Sequence, residues 1–233
     1  MTGSNKMYSL LLLSGGVGAR SKLQEPKQFF ELQGHPLIAH TLIIAQRNPQ
    51  IAEVIVNYPG GYEERTRELL AHYCSTKPFK LVAGGATRQD SCKILVEAAS
   101  NEDVIVHEAA RPLCGMSMFE ELIDDPRENV SFVSDIPFSM CKVDGDTSQI
   151  VENVSRHEVF NIQLPQKFSR SDLASAHSMA AERRLQYTED AVLVADMTGK
   201  PVFTIEGRSR NIKITTVEDL YIAEQIVKER SYE

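Results

Sequence analysis

Residues 14–27 read SGGVGARSKLQEPK, directly after an apolar run from Met7 to Leu13. Glycines at 15, 16 and 18, following Ser14, let backbone N–H groups turn inward and approach an anion closely. Arg20, Lys22 and Lys27 add positive charge where phosphate oxygens would lie. Such a loop can hold a phosphate ester, and it predicts a nucleotide-handling enzyme. It is not a Walker A loop, because no G-x-x-x-x-G-K-[ST] occurs in the chain. It is not a dinucleotide fingerprint either, because Ser21 stands where the third glycine should. A tight strand-exit turn is the competing reading of the loop alone.

A lysine near the other end has the chemistry to join it. Lys213 lies between Ile212 and Ile214. On a strand over Asn211–Ile214 the isoleucines would face the core, and Lys213 would point the opposite way, toward a crevice. Two further turns carry polar groups after strand-like runs. Gly84-Gly85-Ala86-Thr87-Arg88 follows Phe79–Ala83, and His107-Glu108-Ala109-Ala110-Arg111-Pro112 follows Val104–Val106. Thr87 with Asp90 three residues on is also a helix N-cap signal.

These loops need elements to hold them. The chain has 233 residues, 42% hydrophobic and 24% charged, enough for one sizeable α/β domain with a real core. We expect a single domain over 1–233, with MTGSNK as a short lead. Strand-like runs (also Val54–Asn57, Val130–Pro137 and Val202–Ile205) alternate with helical spacing over 36–48, 63–72, 88–99, 169–183, 189–197 and 217–228. That order predicts an α/β, Rossmann-like, mostly parallel sheet with helices on both faces. Ligands then sit beyond the carboxyl ends of the strands, where the three loops would converge.

Net charge is −7, so the electrostatic footprint of nucleic-acid binding is missing. No apolar run approaches the ~18 residues of a membrane span. The four cysteines form no C-x-x-C pair and the six histidines no zinc-type cluster. A cytoplasmic protein with reduced thiols is expected. Asp144-Gly145 between strand-like flanks predicts a β-hairpin in an arm over about 138–160. An apolar-faced hairpin projecting from such a core needs cover, and a second copy of the chain is the natural partner.

Seven segments in order resemble the cytidylyltransferases of the methylerythritol-phosphate and ribitol-phosphate type. They are GGVGAR at 15–20, PKQFFELQGHPLIAHTL at 26–42, GGATRQDS at 84–91, HEAARP at 107–112, SRHEVFNIQLPQKF at 155–168, TEDAVLV at 188–194 and EGRSRNIKITTVEDLYIAEQI at 206–226. The resemblance spans nearly the whole chain. It implies transfer of CMP from CTP to a polyol phosphate with release of pyrophosphate, supported by Mg²⁺. It implies that Arg20 and Lys27 sit on the triphosphate and that Lys213 contacts the α-phosphate. Ser14, Gly15, Gly16, Gly18 and Ala109 would line the CTP site, with Gly85, Ala86, Arg88 and Ser91 at the cytosine. Arg111, Thr188 and Arg156 would hold the acceptor, Arg156 reaching it across a homodimer built through the hairpin arm.

Departures fall mainly on the acceptor side. The carboxylate after His107 is Glu108 rather than Asp; it remains the candidate Mg²⁺ ligand, one methylene longer. Phe138-Ser139-Met140-Cys141 replaces a run carrying Arg-Asp-Thr, and Leu164 replaces a threonine. The expected acceptor is 2-C-methyl-D-erythritol 4-phosphate, in isoprenoid precursor synthesis. Ribitol 5-phosphate or another alditol phosphate is the alternative, and a catalytically inactive nucleotide-binding regulator is the alternative from another class.

Overall fold

The computed structural model describes residues 6–16 and 25–230. Its first strand, β1 (Tyr8–Leu13), is buried on both faces, as its YSLLLL sequence requires. Alternate side chains supply two cores: Leu10 and Leu12 join one, Leu11 the other. After a short 3₁₀ turn at Lys27–Phe29 come a small hairpin, β2 (Glu31–Leu32) and β3 (His35–Pro36), and then α1 (Leu37–Arg47). The chain continues through β4 (Ile51–Tyr58), α2 (Glu63–Tyr73), β5 (Phe79–Ala83), α3 (Arg88–Ala98) and β6 (Asp103–Glu108). It then forms α4 (Met116–Asp124), β7 (Val130–Asp135), β8 (Met140–Val143), β9 (Ile150–Val154) and β10 (Phe160–Ser169). The remaining elements are α5 (Arg170–Arg183), α6 (Asp190–Thr198), β11 (Phe203–Glu206) and α7 (Val217–Arg230).

The main sheet has seven strands in the order β11-β7-β10-β6-β1-β4-β5. All pairings are parallel except those of β10, which runs antiparallel to β6 and β7. Helices α1, α2 and α4 cover one face through Ile38, Leu42, Leu70 and Phe119. Helices α3, α5 and α6 cover the other through Leu95, Val96, Leu173 and Val194. The expected mostly parallel α/β sheet is thus present. No described helix is long and apolar enough to cross a membrane.

Three local expectations need correction or addition. Residues 211–215 form no strand. Ile214 donates its N–H to the Ala110 carbonyl at 2.8 Å and packs with Leu32, Leu37, Leu113 and Ala223. The Ile-Lys-Ile alternation comes from packing under α7, not from a sheet edge. Strand β10 is hidden in the sequence by Gln163, Pro165, Gln166 and Lys167. A proline cannot donate to a ladder, and the register against β7 shifts between Gln163 and Gln166 to accommodate it. Helix α4 was not expected either.

Among the described residues, strands β8 and β9 pair only with each other, antiparallel, as a separate two-stranded sheet. The hairpin expected around Asp144-Gly145 is therefore present, but its connection is longer than a two-residue turn. Asp144 donates its N–H to the Gln149 carbonyl at 2.9 Å. Its Oδ1 accepts from the Asp146 and Thr147 N–H groups at 3.0 and 2.7 Å.

Candidate active site

The carboxyl ends of β1, β4, β5 and β6 open onto one cavity of about 820 Å³. Its wall includes Ser14, Gly15, Gly16, Lys27, Gly85, Ala86, Arg88, Ser91, Glu108, Ala109 and Lys213. The described part of the first loop, residues 14–16, converges with the other two, and Lys213 joins them from the far end of the chain. Gly18 and Arg20 lie outside the described residues. Arg111, Arg156 and Thr188 do not line the cavity.

Ser14, at the start of the glycine loop, is held from two sides. Asn57, at the end of β4, accepts the Ser14 N–H at 2.7 Å, and Gln28 donates to the Ser14 carbonyl at 2.5 Å. A Cβ on Gly15 would meet Asn57 Nδ2, so glycine allows this close approach without displacing the Asn57 side chain. Among the described residues the buried Ser14 hydroxyl has no hydrogen-bond partner. An orphaned donor beside a glycine loop fits an incoming phosphate oxygen.

Lys27 and Lys213 belong to one assembly. Lys27 Nζ donates to the Ile214 carbonyl at 2.9 Å, next to Lys213 in the chain. Lys213 Nζ lies 2.6 Å from Glu108 Oε2, and Arg111 Nε donates to Glu108 Oε1 at 2.8 Å. A second arm of Arg111 donates to the Asn211 carbonyl at 2.8 Å, tying the 211–215 segment to the end of β6. Arg111 thus acts inside the wall, bracing Glu108. Burial would raise the Glu108 carboxyl, but Lys213 and Arg111 outweigh it and hold it down at about 2.

That arrangement bears on Mg²⁺. A buried, fully ionised carboxylate at the cavity floor has the hard oxygen the ion takes, and Mg²⁺ commonly uses one or two carboxylates plus substrate phosphates. Glu108 fits as one such carboxylate, with Lys213 on its Oε2 and Arg111 on its Oε1.

The turn before α3 is built from hydrogen bonds within itself. Thr87 and Asp90 form a reciprocal capping box: the Asp90 N–H reaches Thr87 Oγ1 at 3.1 Å, and the Thr87 N–H reaches Asp90 Oδ2 at 3.0 Å. Ser91 Oγ accepts the Gly85 N–H at 3.0 Å and donates to the Thr87 carbonyl at 2.9 Å. A Cβ on Gly85 would fall 2.5–2.9 Å from Asp90 and Ser91, so no side chain fits there. The helix cap expected from Thr87 and Asp90 is present, and the Ser91 hydroxyl shapes the turn.

The family model described as IspD, 2-C-methyl-D-erythritol 4-phosphate cytidylyltransferase, matches residues 9–229. The chain belongs to this family. Relatives bearing the same enzyme name include one from Geobacillus kaustophilus, 33% identical over 97% of this chain and 99% of the relative. Another, from Bacillus velezensis, is 32% identical over 96% of this chain and 97% of the relative. The Thermus thermophilus enzyme of that name is similar in structure, with a TM-score of 0.76 at 29% identity over 95% of this chain and 99% of that one. A 4-diphosphocytidyl-2C-methyl-D-erythritol synthase from Anaerococcus prevotii shares the fold, with a TM-score of 0.83 at 23% identity over 96% and 97%.

Within this cytidylyltransferase, several residues that shape the site were not singled out from the sequence. Asn57 and Gln28 hold the glycine loop, yet a strand-end Asn and a Gln after Lys27 carry no distinguishing local signal. Glu189 and Asp190 lie in the quoted TEDAVLV segment, where only Thr188 was singled out. Both acids approach Arg88, at 3.9 and 2.9 Å. Thr188 itself is exposed, as is Arg156 in the connection after β9.

Proposed function

We propose that this cytidylyltransferase transfers CMP from CTP to 2-C-methyl-D-erythritol 4-phosphate, releases pyrophosphate, and acts in cytoplasmic isoprenoid precursor synthesis. The observation that carries the reading is the single cavity that gathers the glycine loop, Lys27, the Gly85–Ser91 turn, Glu108 and Lys213. An oxygen of the acceptor phosphate attacks the α-phosphorus of CTP in line; the bond to the β-phosphate bridging oxygen breaks, and pyrophosphate leaves. The nucleophile is already an anion, so positioning and charge neutralisation can supply most of the catalysis.

Lys213 stabilises the α-phosphate as charge gathers on it, and Lys27 with Arg20 stabilises the departing pyrophosphate. Ser14, Gly15, Gly16 and Gly18 cradle the phosphates, beside Ala109. Gly85, Ala86, Arg88 and Ser91 form the cytosine end. Glu108 would hold Mg²⁺ jointly with the triphosphate, and the ion would neutralise part of that charge. The whole chain serves as one nucleotidyltransferase domain. A homodimer through the β8–β9 arm completes each acceptor site with Arg156 from the second copy, beside Arg111 and Thr188. Val143, Ile150 and Val151 are 54%, 74% and 60% exposed on that arm, which supports an apolar contact there.

Leu164 is fully buried, so the missing hydroxyl at 164 takes no group from the cavity wall. The change at 164 therefore does not count against the methylerythritol acceptor. The test is pyrophosphate release with CTP, Mg²⁺ and a panel of polyol phosphates. Release with 2-C-methyl-D-erythritol 4-phosphate is expected. Preference for ribitol 5-phosphate would replace the acceptor, and CTP binding without release from any acceptor would make the chain a regulator.

A further inference from the structure

Asp190, the first residue of α6, is almost completely buried and sits behind the Gly85–Ser91 turn. Its carboxylate is approached from two elements. Arg88 Nη2, on the first turn of α3, lies 2.9 Å from Oδ2, and His177 Nε2, on α5, lies 3.3 Å from Oδ1. Both are ion-pair distances whose angles fall short of good hydrogen bonds. Cys92, one turn further along α3, brings its sulfur within 4.8 Å of the same groups. Cys, His and Asp are donor types of a transition-metal site. Here, however, a guanidinium already occupies one carboxylate oxygen, which disfavours a cation in that place.

The neighbouring residue repeats the pattern. Gln89 donates to the Leu185 carbonyl at 3.2 Å and accepts the Tyr187 N–H at 2.6 Å, on the connection between α5 and α6. The first turn of α3 is therefore pinned at consecutive residues to the α5–α6 layer. Arg88 lines the cavity, whereas Asp190 does not. A buried anion that fixes a guanidinium from behind sets the position of the turn without touching the ligand. Burial alone would raise the Asp190 carboxyl, but Arg88 and then His177 hold it well below the usual range, so the anion persists at neutral pH.

We propose that Asp190 is a positioning residue for the nucleobase end of the nucleotide site, acting through Arg88 on the Gly85–Ser91 turn. This rests on the reading that CTP occupies the cavity with its base at that turn. Asp190 thereby governs discrimination among nucleobases rather than phosphate affinity.

The test compares wild type with Asp190→Asn by calorimetric titration of CTP, UTP and pyrophosphate. It adds hydrogen exchange of individual amides on the nucleotide-free protein. In Asp190→Asn, CTP binding should weaken about tenfold or more while pyrophosphate binding is unchanged, which collapses the CTP-over-UTP preference. The Gly85 and Ser91 amides should exchange faster while the β1 amides keep wild-type protection. Asp190→Glu retains the charge opposite Arg88 and should fold where the amide variant does not; it should lose part of the preference. An unchanged CTP-to-UTP ratio in a folded variant would overturn the proposal. So would an equal loss of CTP and pyrophosphate affinity, a uniform rise in exchange, or stoichiometric zinc in the purified protein. If wild type binds no CTP, the proposed function fails instead, and the exchange comparison still tests the positioning role.

Discussion

Lys213 reaches the crevice as its sequence neighbours suggested, but for a different reason. Strand alternation would have aimed it there; in the structure the 211–215 segment is held by Arg111 and Ala110, and Ile214 is drawn into the cluster under α7. Lys27 is tied to the same segment through the Ile214 carbonyl. If each lysine meets charge that develops only during phosphoryl transfer, Lys27→Ala or Lys213→Ala should lower kcat about 10²-fold or more. Pyrophosphate release measures this, and wild-type turnover in both variants would remove the assigned roles. Gly85 makes a separate demand, since a Cβ there meets the Asp90 and Ser91 backbone. Gly85→Ala should cost about 1–3 kcal/mol in urea unfolding and weaken CTP binding together. An unperturbed variant would mean that the turn rearranges freely. At this scale the cations and glycines were legible because their chemistry is local. Asn57, Gln28 and Asp190 were not, because their roles exist only once distant segments are brought together.

Elements were legible in proportion to their periodicity. β1, β4 and β6 read as apolar runs because both their faces are buried, and α3 carried its own start signal in Thr87 and Asp90. β10 was illegible because a proline and three long polar side chains interrupt it, although Gln163, Gln166 and Lys167 are all buried by the packed sheet. The β8–β9 hairpin was announced by Asp144-Gly145, yet its true connection depends on the Asp144 carboxylate accepting from two backbone amides. No described element covers Ile150 or Val151, which stay exposed. If the arm binds a second copy, deleting residues 142–152 should yield monomers by light scattering and weaken use of the acceptor. CTP affinity should stay within a few-fold, because the cavity wall draws on no residue between 111 and 212. A mixture of Arg156→Ala and Lys213→Ala chains should also recover activity, since one mixed site regains both residues. A dimeric deletion variant, or verified mixed dimers without recovery, would count against the arm.

Across the whole molecule the two ends of the sheet do different work. The carboxyl ends of the parallel strands carry the cavity, and the other end is closed by packing and by a buried cation. Lys167 on β10 faces Ile105 of β6 and Val130 of β7 in register and is 2% exposed. Its ammonium donates to the Asp125 carbonyl at 2.5 Å. Burial lowers it to about 8, helped by Lys6 and Arg127 and opposed by Asp125 and Asp103. An unfolded lysine titrates near 10.4. Between those values the unfolded chain binds more protons than the folded one, so the contribution of Lys167 to stability rises with pH from about 8 to about 10.5. The full gain is on the order of 3 kcal/mol, because it equals the cost of keeping the ammonium buried at neutral pH. Lys167→Met keeps the stem and removes the charge. It should be neutral or stabilising at pH 7, as apolar replacement of a buried charge often is. It should also lack the alkaline rise. Tyr8, raised to about 12 by burial, destabilises the fold above pH 10 in both proteins and cancels in the difference. Between pH 7.5 and pH 10.5 the urea midpoint of wild type should therefore rise relative to that of the variant, with CTP affinity unchanged at the remote cavity; midpoints that stay parallel would show that Lys167 keeps an ordinary titration in the fold.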